Sequence, residues 1–196
     1  MSRIYLNKEN FNKELRLIGI TGLAHVGKDT FASYLKKHHN QIEIESFATP
    51  IKKIMMNYFG FTQEQVYNQT LKETEDAFWN ITPRKLMQLI GTDMFRKQFR
   101  YDVWVKVFEK KFLNNPNTFF TLADIRFDNE AQMIIDNGGI IIKIERDCER
   151  IQTSCHESEK GINKNLIDIT IDNNGTLDDL ENSAIELLKI LGKEIQ

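Results

Sequence analysis

Between Gly22 and Thr30 the chain reads Gly-Leu-Ala-His-Val-Gly-Lys-Asp-Thr, and these residue types at this spacing can hold a polyphosphate. Gly22 and Gly27 permit backbone angles and close approaches that a Cβ blocks, so the N–H groups of Gly22, His25, Val26 and Gly27 can converge on phosphate oxygens. A helix starting directly after them adds the positive end of its dipole. Lys28 supplies a mobile ammonium for the β- and γ-phosphates of a nucleotide. The pattern is G-x-x-x-x-G-K with one departure: the next residue, ordinarily a Ser or Thr whose hydroxyl takes Mg²⁺, is Asp29, and Thr30 follows. Magnesium is then held by Asp29, or only through water and the nucleotide. A strand-to-helix turn that binds nothing is the plain structural alternative.

Other residues with chemistry to offer lie farther along. Asp124-Ile125-Arg126, followed by Asp128 and Glu130, puts charge after an apolar run, where ligands of open α/β sheets bind. A carboxylate there can hold Mg²⁺ through water or position a nucleophile, and Arg126 can neutralise a phosphate; an internal Asp–Arg ion pair is compatible with both. Arg84, Gln88 and Thr92 repeat every four residues and project together from a helix, with Gly91 allowing a close approach to the backbone. They form either an exposed polar face or the wall of a substrate pocket in which arginine meets a phosphate and glutamine reads a base edge. Lys52 sits in the first turn of another helix, at the end of a strand, as a phosphate ligand or a solvated lysine. Trp104 is core or a base-stacking platform. Arg146 and Arg150 precede Thr153 to Gly161, a short stretch with Ser154 and Glu157 at capping-box spacing. That arrangement suits a lid closing over transferring phosphates, or a charged surface loop.

The elements that must position these groups follow from periodicity. Leu15 to Ile20 is an apolar run leading into the glycine loop, and Thr30 to His38 a helix. Ile42 to Phe47 alternates like a strand near the sheet edge. Thr49 and Pro50 open a helix, with Thr49 as cap, that carries Ile51, Ile54, Met55 and Tyr58 on one side and ends at Gly60. Phe61 to Ile81 is an irregular or short-helical cover. Thr82-Pro83 opens a helix with Leu86, Ile90 and Met94 as its buried stripe. Tyr101 to Phe112 is a helix with Val103, Val107 and Phe108 inward. Thr118 to Ala123 and Ile140 to Ile144 are buried strands flanking a helix over Asp128 to Asn137. Asp168 to Asp172 is a final strand, and Thr176 caps a helix whose buried face is Leu177, Leu180, Ala184, Leu187, Leu188 and Leu191. Strands alternating with helices predict a mostly parallel sheet of about five strands covered on both faces.

Composition narrows the class. A 196-residue chain with 28% charged residues, 41% hydrophobic residues and a net charge of −2 reads as one soluble domain. There is no basic excess to wrap nucleic acid, no apolar run near the ~18 residues a membrane span needs, and a polar start without a signal peptide's apolar centre. Cys148 and Cys155, with only His156 nearby, are too few for a structural zinc site and read as free thiols of a reducing cytoplasm.

Taken together in order, several blocks resemble the bacteriophage deoxynucleoside monophosphate kinases. These are Gly27-Lys28-Asp29-Thr30, Ala48-Thr49-Pro50-Ile51-Lys52, Arg84-Lys85-Leu86-Met87-Gln88-Leu89-Ile90-Gly91-Thr92-Asp93, Trp104-Val105-Lys106, Asp124-Ile125-Arg126 with Glu130, and His156-Glu157-Ser158-Glu159-Lys160-Gly161. The resemblance runs from about Ile18 to Leu191 and departs at Thr49, where the family usually has glycine. It implies a single P-loop kinase domain over 1–196, with a helical monophosphate-binding insertion at about 50–113 and a lid at about 146–163. It implies ATP with Mg²⁺ as donor and a deoxynucleoside 5′-monophosphate as acceptor, in the cytoplasm, or the host cytoplasm for a phage-encoded chain. Asp29 is also accounted for, since this branch carries Gly-Lys-Asp-Thr. The loop and Lys28 then serve the donor, with Thr30 on the α-phosphate side and Asp29 or Asp124 at Mg²⁺. Lys52, Arg84 and Arg126 serve the acceptor phosphate, Gln88, Gly91, Thr92, Trp104 and Glu130 belong to the acceptor site, and Arg146 and Arg150 to the lid. A kinase of another metabolite, of the phosphomevalonate or dephospho-coenzyme A type, keeps the fold and changes the acceptor. A nucleotide-dependent switch is the alternative from another class, although no guanine-reading N-K-x-D motif is present. The partners are small nucleotides, and monomer versus homodimer is left open.

Overall fold

Three of the six strands are apolar-rich runs that bury both faces, and the order of all six sets where a ligand can sit. In the computed structural model, which describes residues 3–7, 11, 14–147 and 161–195, the strands are β1 (Arg3–Leu6), β2 (Leu17–Thr21), β3 (Ile42–Glu45), β4 (Phe119–Leu122), β5 (Ile140–Glu145) and β6 (Ile169–Asp172). They form one sheet in the order β1-β6-β5-β2-β4-β3. All neighbours are parallel except β1, which runs antiparallel to β6 with Arg3 opposite Asp172. The expected parallel sheet of about five strands is therefore present as β2 to β6, and the polar N-terminal arm adds a sixth strand. β3 is at the edge, as its alternation predicts, with Glu43 and Ile44 exposed.

The chain divides into two units, one of residues 1–46 with 109–196 and one of residues 47–108. In the first, α1 (Lys28–His38) and α8 (Leu177–Ile190) share one face of the sheet. Phe31, Ala32 and Leu35 of α1 meet Leu180, Ala184, Leu187 and Leu188 of α8 over Ile18, Ile20, Ile142, Ile144, Ile169 and Ile171. Strand residues of one parity supply this core because successive side chains alternate across a sheet. Each fully buried Leu or Ile contributes about 1.5–3 kcal/mol. The other parity is covered by α7 (Asp128–Asp136), which packs on β2 and β5. Leu177, expected in the buried face of α8, is 65% exposed because it occupies the first turn, beyond the edge of the core. Thr176 caps α8 as expected, in a reciprocal box with Asp179.

The second unit is helical: α2 (Thr49–Tyr58), α3 (Gln63–Tyr67), α4 (Gln69–Glu73), α5 (Pro83–Gln88) and a wide-turned π-helix over Leu89–Phe99. The helix α6 (Val103–Leu113) carries the chain out of it. Thr82 caps α5 by accepting from the Lys85 N–H, but Thr49 does not cap α2: Ala48 occupies that position, without a side-chain bond. The cover over Phe61 to Ile81 resolves into two five-residue helices, each started by a polar cap, Thr62 and Asn68, followed by an Asp76–Ile81 bridge. The expected stripe of Leu86, Ile90 and Met94 fails at its third member, which is 52% exposed. From Leu89 the backbone bonds span five residues, as in Arg100 N–H to Phe95 O at 3.0 Å, so four residues no longer complete a turn. In α6, Val103, Trp104 and Phe108 are buried, whereas Val107 faces outward. No helix among the described residues is long and apolar enough to cross a membrane.

Candidate functional site

β2 is the central parallel strand, and the chain leaves it toward β3 and β4 on one side and later toward β5 and β6 on the other. Its carboxyl end is a topological switch point, the place where open α/β sheets take ligands. The Gly22 to Gly27 loop sits there. Gly22 has φ +142° and a Cβ on it would lie 2.4 Å from the Ile144 carbonyl oxygen; Gly27 has φ +100° and a Cβ there would meet the Asn173 Nδ2 at 2.7 Å. Both positions therefore require glycine, for conformation and for space. Between them His25 is exposed and held at φ +64°, a left-handed conformation that a residue with a side chain adopts at a cost of about 1–3 kcal/mol. Backbone alternating through left-handed angles turns successive N–H groups to one side and forms an anion-binding concavity.

Gly27 is also the N-terminal boundary residue of α1, and no side chain caps that terminus. The first-turn N–H groups of an α-helix have no intrahelical acceptor, so an uncapped 11-residue helix presents them to whatever lies at the loop. Lys28 is the first helical residue, and its Nζ donates to the Gly22 carbonyl at 2.9 Å and the Leu23 carbonyl at 2.5 Å. The ammonium thus lies across the loop mouth. Val26, between the glycines, is buried and anchors the loop to the core. Asp29 is exposed in the first turn, and Thr30 follows it half-buried.

The neighbouring strand β4 ends in Asp124, half-buried, whose Oδ2 accepts from the Ser46 Oγ at 2.5 Å. Ser46 follows β3, so the carboxyl ends of two adjacent parallel strands are joined by a charge-assisted bond. The turn after Asp124 is organised by Glu130. This carboxylate is 2% exposed and accepts from the Arg126 N–H at 2.8 Å and the Phe127 N–H at 3.2 Å. Glu130 thereby fixes the backbone that carries Asp124 and Arg126. Thr21 Oγ1, donating to the Ile125 carbonyl at 2.9 Å, ties the same turn to the end of β2.

Among the described residues, no three His, Cys, Asp or Glu side chains converge to hold a metal ion. The carboxylates nearest in sequence to the phosphate loop and to the end of the neighbouring β4 are Asp29, in the first turn of α1, and Asp124. That fits a magnesium ion carried mainly by nucleotide oxygens and water, the usual arrangement for Mg²⁺ with phosphate substrates, and it does not fit an all-protein cage.

In the helical unit, Arg84 on α5 is paired through Nε with Glu73 and donates from Nη2 to Gln69 Oε1 at 3.2 Å. Its side chain keeps 31% exposure. Gln88 is half-buried one turn later, and Thr92 is buried. Lys52 places Nζ 4.2 Å over the Tyr67 ring. Gly91 does allow a close approach, but by the chain itself: a Cβ there would lie 2.6 Å from the Ile51 Cδ1, and the Gly91 carbonyl accepts from the Trp104 Nε1 at 2.8 Å. Trp104, 4% exposed and 5.1 Å from the Phe95 ring, is packed in the interior of this unit. Arg96, absent from the sequence analysis, is also buried there and donates to the Tyr101 carbonyl at 3.0 Å.

Arg146 is exposed just after β5. Arg150, Cys148, Cys155, His156 and the short helix expected over Thr153 to Gly161 lie outside the described residues. Besides Thr21, two side chains at the sheet end escaped the sequence analysis. Ser46 offers only its place at a strand terminus as a signal. Asn173, which reads as a turn residue, is 5% exposed, and its Nδ2 donates to the Val26 carbonyl at 2.8 Å.

Comparison with known proteins adds a second line of argument. The family profile for deoxynucleotide monophosphate kinase matches residues 57–184. A provisionally named deoxynucleotide monophosphate kinase of Acanthamoeba polyphaga mimivirus is 34% identical over 186 residues, covering 86% of this chain and 94% of that protein. The deoxynucleotide monophosphate kinase of Enterobacteria phage T4 is 28% identical over 142 residues, covering 71% of this chain and 56% of its own length. Among solved structures, a dephospho-CoA kinase from Campylobacter jejuni superposes with a TM-score of 0.51 at 16% identity, covering 89% of this chain and 96% of that one. That likeness concerns the fold alone.

Proposed function

The chain belongs to the deoxynucleotide monophosphate kinase family, and from that premise we propose that it transfers the γ-phosphoryl group of ATP to a deoxynucleoside 5′-monophosphate. An oxygen of the acceptor phosphate bonds to the γ-phosphorus, the bond to the β–γ bridging oxygen breaks, and ADP and a deoxynucleoside diphosphate leave. Such transfer needs little covalent help from protein; it needs two anions aligned and the charge on the moving group neutralised.

The loop N–H groups of Gly22, His25, Val26 and Gly27 and the α1 terminus bind the donor phosphates. Lys28 exchanges its two carbonyl acceptors for β- and γ-phosphate oxygens, and Thr30 serves the α-phosphate side. Asp29 or Asp124 would hold Mg²⁺ or its water shell, and the ion would screen the phosphate charges. Ser46 keeps the Asp124 carboxylate oriented, and Glu130 acts through the backbone of Arg126. Arg84, Lys52 and Arg126 serve the acceptor phosphate, Gln88 and Thr92 the nucleoside, and Gly91 and Trp104 brace that site from inside the helical unit. Arg146 serves the transferring phosphates. The observation that carries the reading is the uncapped, glycine-shaped loop at the β2 switch point, with Lys28 across its mouth.

ADP release from ATP and Mg²⁺ tests it, with dGMP, dTMP, dCMP, dAMP, their ribonucleotide counterparts, dephospho-coenzyme A and phosphomevalonate each supplied in turn. Stimulation by one or more deoxynucleotides, by orders of magnitude over ATP alone, is the expected result. Stimulation only by one of the other metabolites would replace the acceptor, and ATP binding with no acceptor-dependent release would leave a nucleotide switch.

A further inference from the structure

We propose that Asn173 is a positioning residue for the donor phosphates, acting through the phosphate loop; this rests on the reading of Gly22 to Thr30 as the donor site. Three observations meet at this side chain. Its Nδ2 donates to the Val26 carbonyl at 2.8 Å inside the protein, and only the amide nitrogen can serve there, because the partner is a carbonyl. The same nitrogen occupies the space a Cβ on Gly27 would need, 2.7 Å from it, so glycine at 27 and asparagine at 173 fit one another. The backbone N–H of Asn173 donates to the Glu145 carbonyl at 2.7 Å, which extends the β5–β6 pairing by one residue and fixes where the side chain starts.

The consequence concerns which way the loop amides point. Val26 and Gly27 join the loop to α1, and a peptide plane turns as a unit. A bond that holds the Val26 carbonyl toward Asn173 therefore holds the following Gly27 N–H, in the same plane, to the opposite side. Asn173 is 147 residues from Val26 and rests on a strand bonded into the sheet, so the loop conformation is set from outside the loop. Asn174, next in the chain, makes a different pairing: its Oδ1 accepts from the Asp147 N–H at 2.7 Å and its Nδ2 donates to the Asp147 carboxylate at 3.0 Å. The turn after β6 thus fastens the phosphate loop with one asparagine and the chain leaving β5 with the other.

The test is titration calorimetry of ATP into the full chain and its Asn173→Ala, Asn173→Asp and Lys28→Ala variants, with thermal midpoints measured alongside. Asn173→Ala removes the donor. Asn173→Asp keeps the shape, cannot donate when ionised, and adds a negative charge beside Gly27. A hydrogen bond of ordinary net strength corresponds to about three- to tenfold in an equilibrium. We expect the ATP dissociation constant to rise about three- to tenfold in Asn173→Ala and further in Asn173→Asp. In steady state the KM for ATP should rise while that of the acceptor stays within about twofold. ATP affinity unchanged in both variants, or a fallen midpoint with affinity intact, would overturn the positioning role and leave Asn173 a packing residue. A wild-type chain that binds ATP but phosphorylates no deoxynucleotide would refute the proposed acceptor and leave Asn173 to be judged on the same binding data. Lys28→Ala binding ATP like the wild type would remove the loop as donor site, and this proposal with it.

Discussion

Replacing Gly22 by alanine separates what the loop needs from what a glycine costs in general. At φ +142° an L-residue is outside its allowed regions, a penalty of about 1–3 kcal/mol. The new Cβ would also stand 2.4 Å from the Ile144 carbonyl oxygen. That oxygen is backbone inside β5, a strand bonded on both sides, so it cannot yield as the end of a flexible side chain can. Forcing atoms into a packed interior adds about 1–3 kcal/mol, for a total of roughly 2–6 kcal/mol. At about 2–4 °C per kcal/mol for a chain of this size, the thermal midpoint should fall by roughly 4–24 °C. Gly192→Ala is the comparison. Gly192 has φ +65° with nothing within 4 Å of a Cβ, and it closes α8 with its own N–H to Lys189 O and Lys193 N–H to Leu188 O, both 2.9 Å. Only the left-handed penalty applies there, partly offset by a less flexible unfolded chain, so about 1 kcal/mol and roughly 2–4 °C are expected. Differential scanning fluorimetry with and without ATP reads both variants. Gly192→Ala should keep the wild-type stabilisation by ATP, and Gly22→Ala should lose most of it. A Gly22→Ala protein no less stable than Gly192→Ala, and equally stabilised by ATP, would refute the claim that close backbone packing shapes the loop.

Three further outcomes are expected. Lys28→Ala should lower kcat/KM by about 10²–10³-fold, the scale of removing one preorganised charge from a transferring group, with a midpoint within a few degrees of wild type, since its bonds to the Gly22 and Leu23 carbonyls lie in the loop near the surface. Arg84→Ala should raise the acceptor KM by roughly tenfold or more, as loss of a charged hydrogen bond does, while the ATP KM holds; the exposed Glu73 pair it also loses is worth little, and an unchanged acceptor KM would remove Arg84 from the site. The Asp179 carboxyl is held below the ordinary aspartate range, first by the Thr176 N–H and then by the Thr176 hydroxyl. The folded chain then binds fewer protons there than the unfolded one, so this stabilisation is full above the usual aspartate pKa of about 3.9 and is lost as pH falls through the lower folded value. Thermal midpoints of wild type and Asp179→Asn should therefore converge as the medium is acidified from about pH 5, and a constant difference would sink the account.

The glycine loop was legible because its chemistry and its conformation are written in consecutive residues. Gly22, Gly27 and Lys28 announce left-handed angles, uncapped amides and a cation without reference to anything distant, and the strand and helix around them are equally local. Errors arose where the period of the structure departs from the period assumed. Met94 was assigned to a buried stripe on a helical spacing of four, and the π-helix widens the turn from Leu89 onward, so the stripe rotates away. Val107 is apolar but faces outward from α6, and Leu177 lies in the first turn of α8 beyond its buried stretch, limits set by neighbouring elements and invisible to a pattern. Gly91 signalled a close approach correctly, but spacing alone does not say whether a ligand or Ile51 makes it.

Ser46 and Asn173 expose a different limit. Each acts on a residue far away in sequence, 78 positions for Ser46 to Asp124 and 147 for Asn173 to Val26, and each belongs to a residue type that a sequence explains adequately as a strand end or a turn. A phosphate loop is a local solution to binding a polyanion, and this chain fastens it at Val26 through Asn173 and at the β2 terminus through Thr21 and the Ile125 carbonyl. The residues that bind can be found by their own chemistry. The residues that hold them still can be found only once β2, β4 and β6 have been placed in one sheet, because the carboxyl ends of those strands bring Thr21, Asp124 and Asn173 to the same edge.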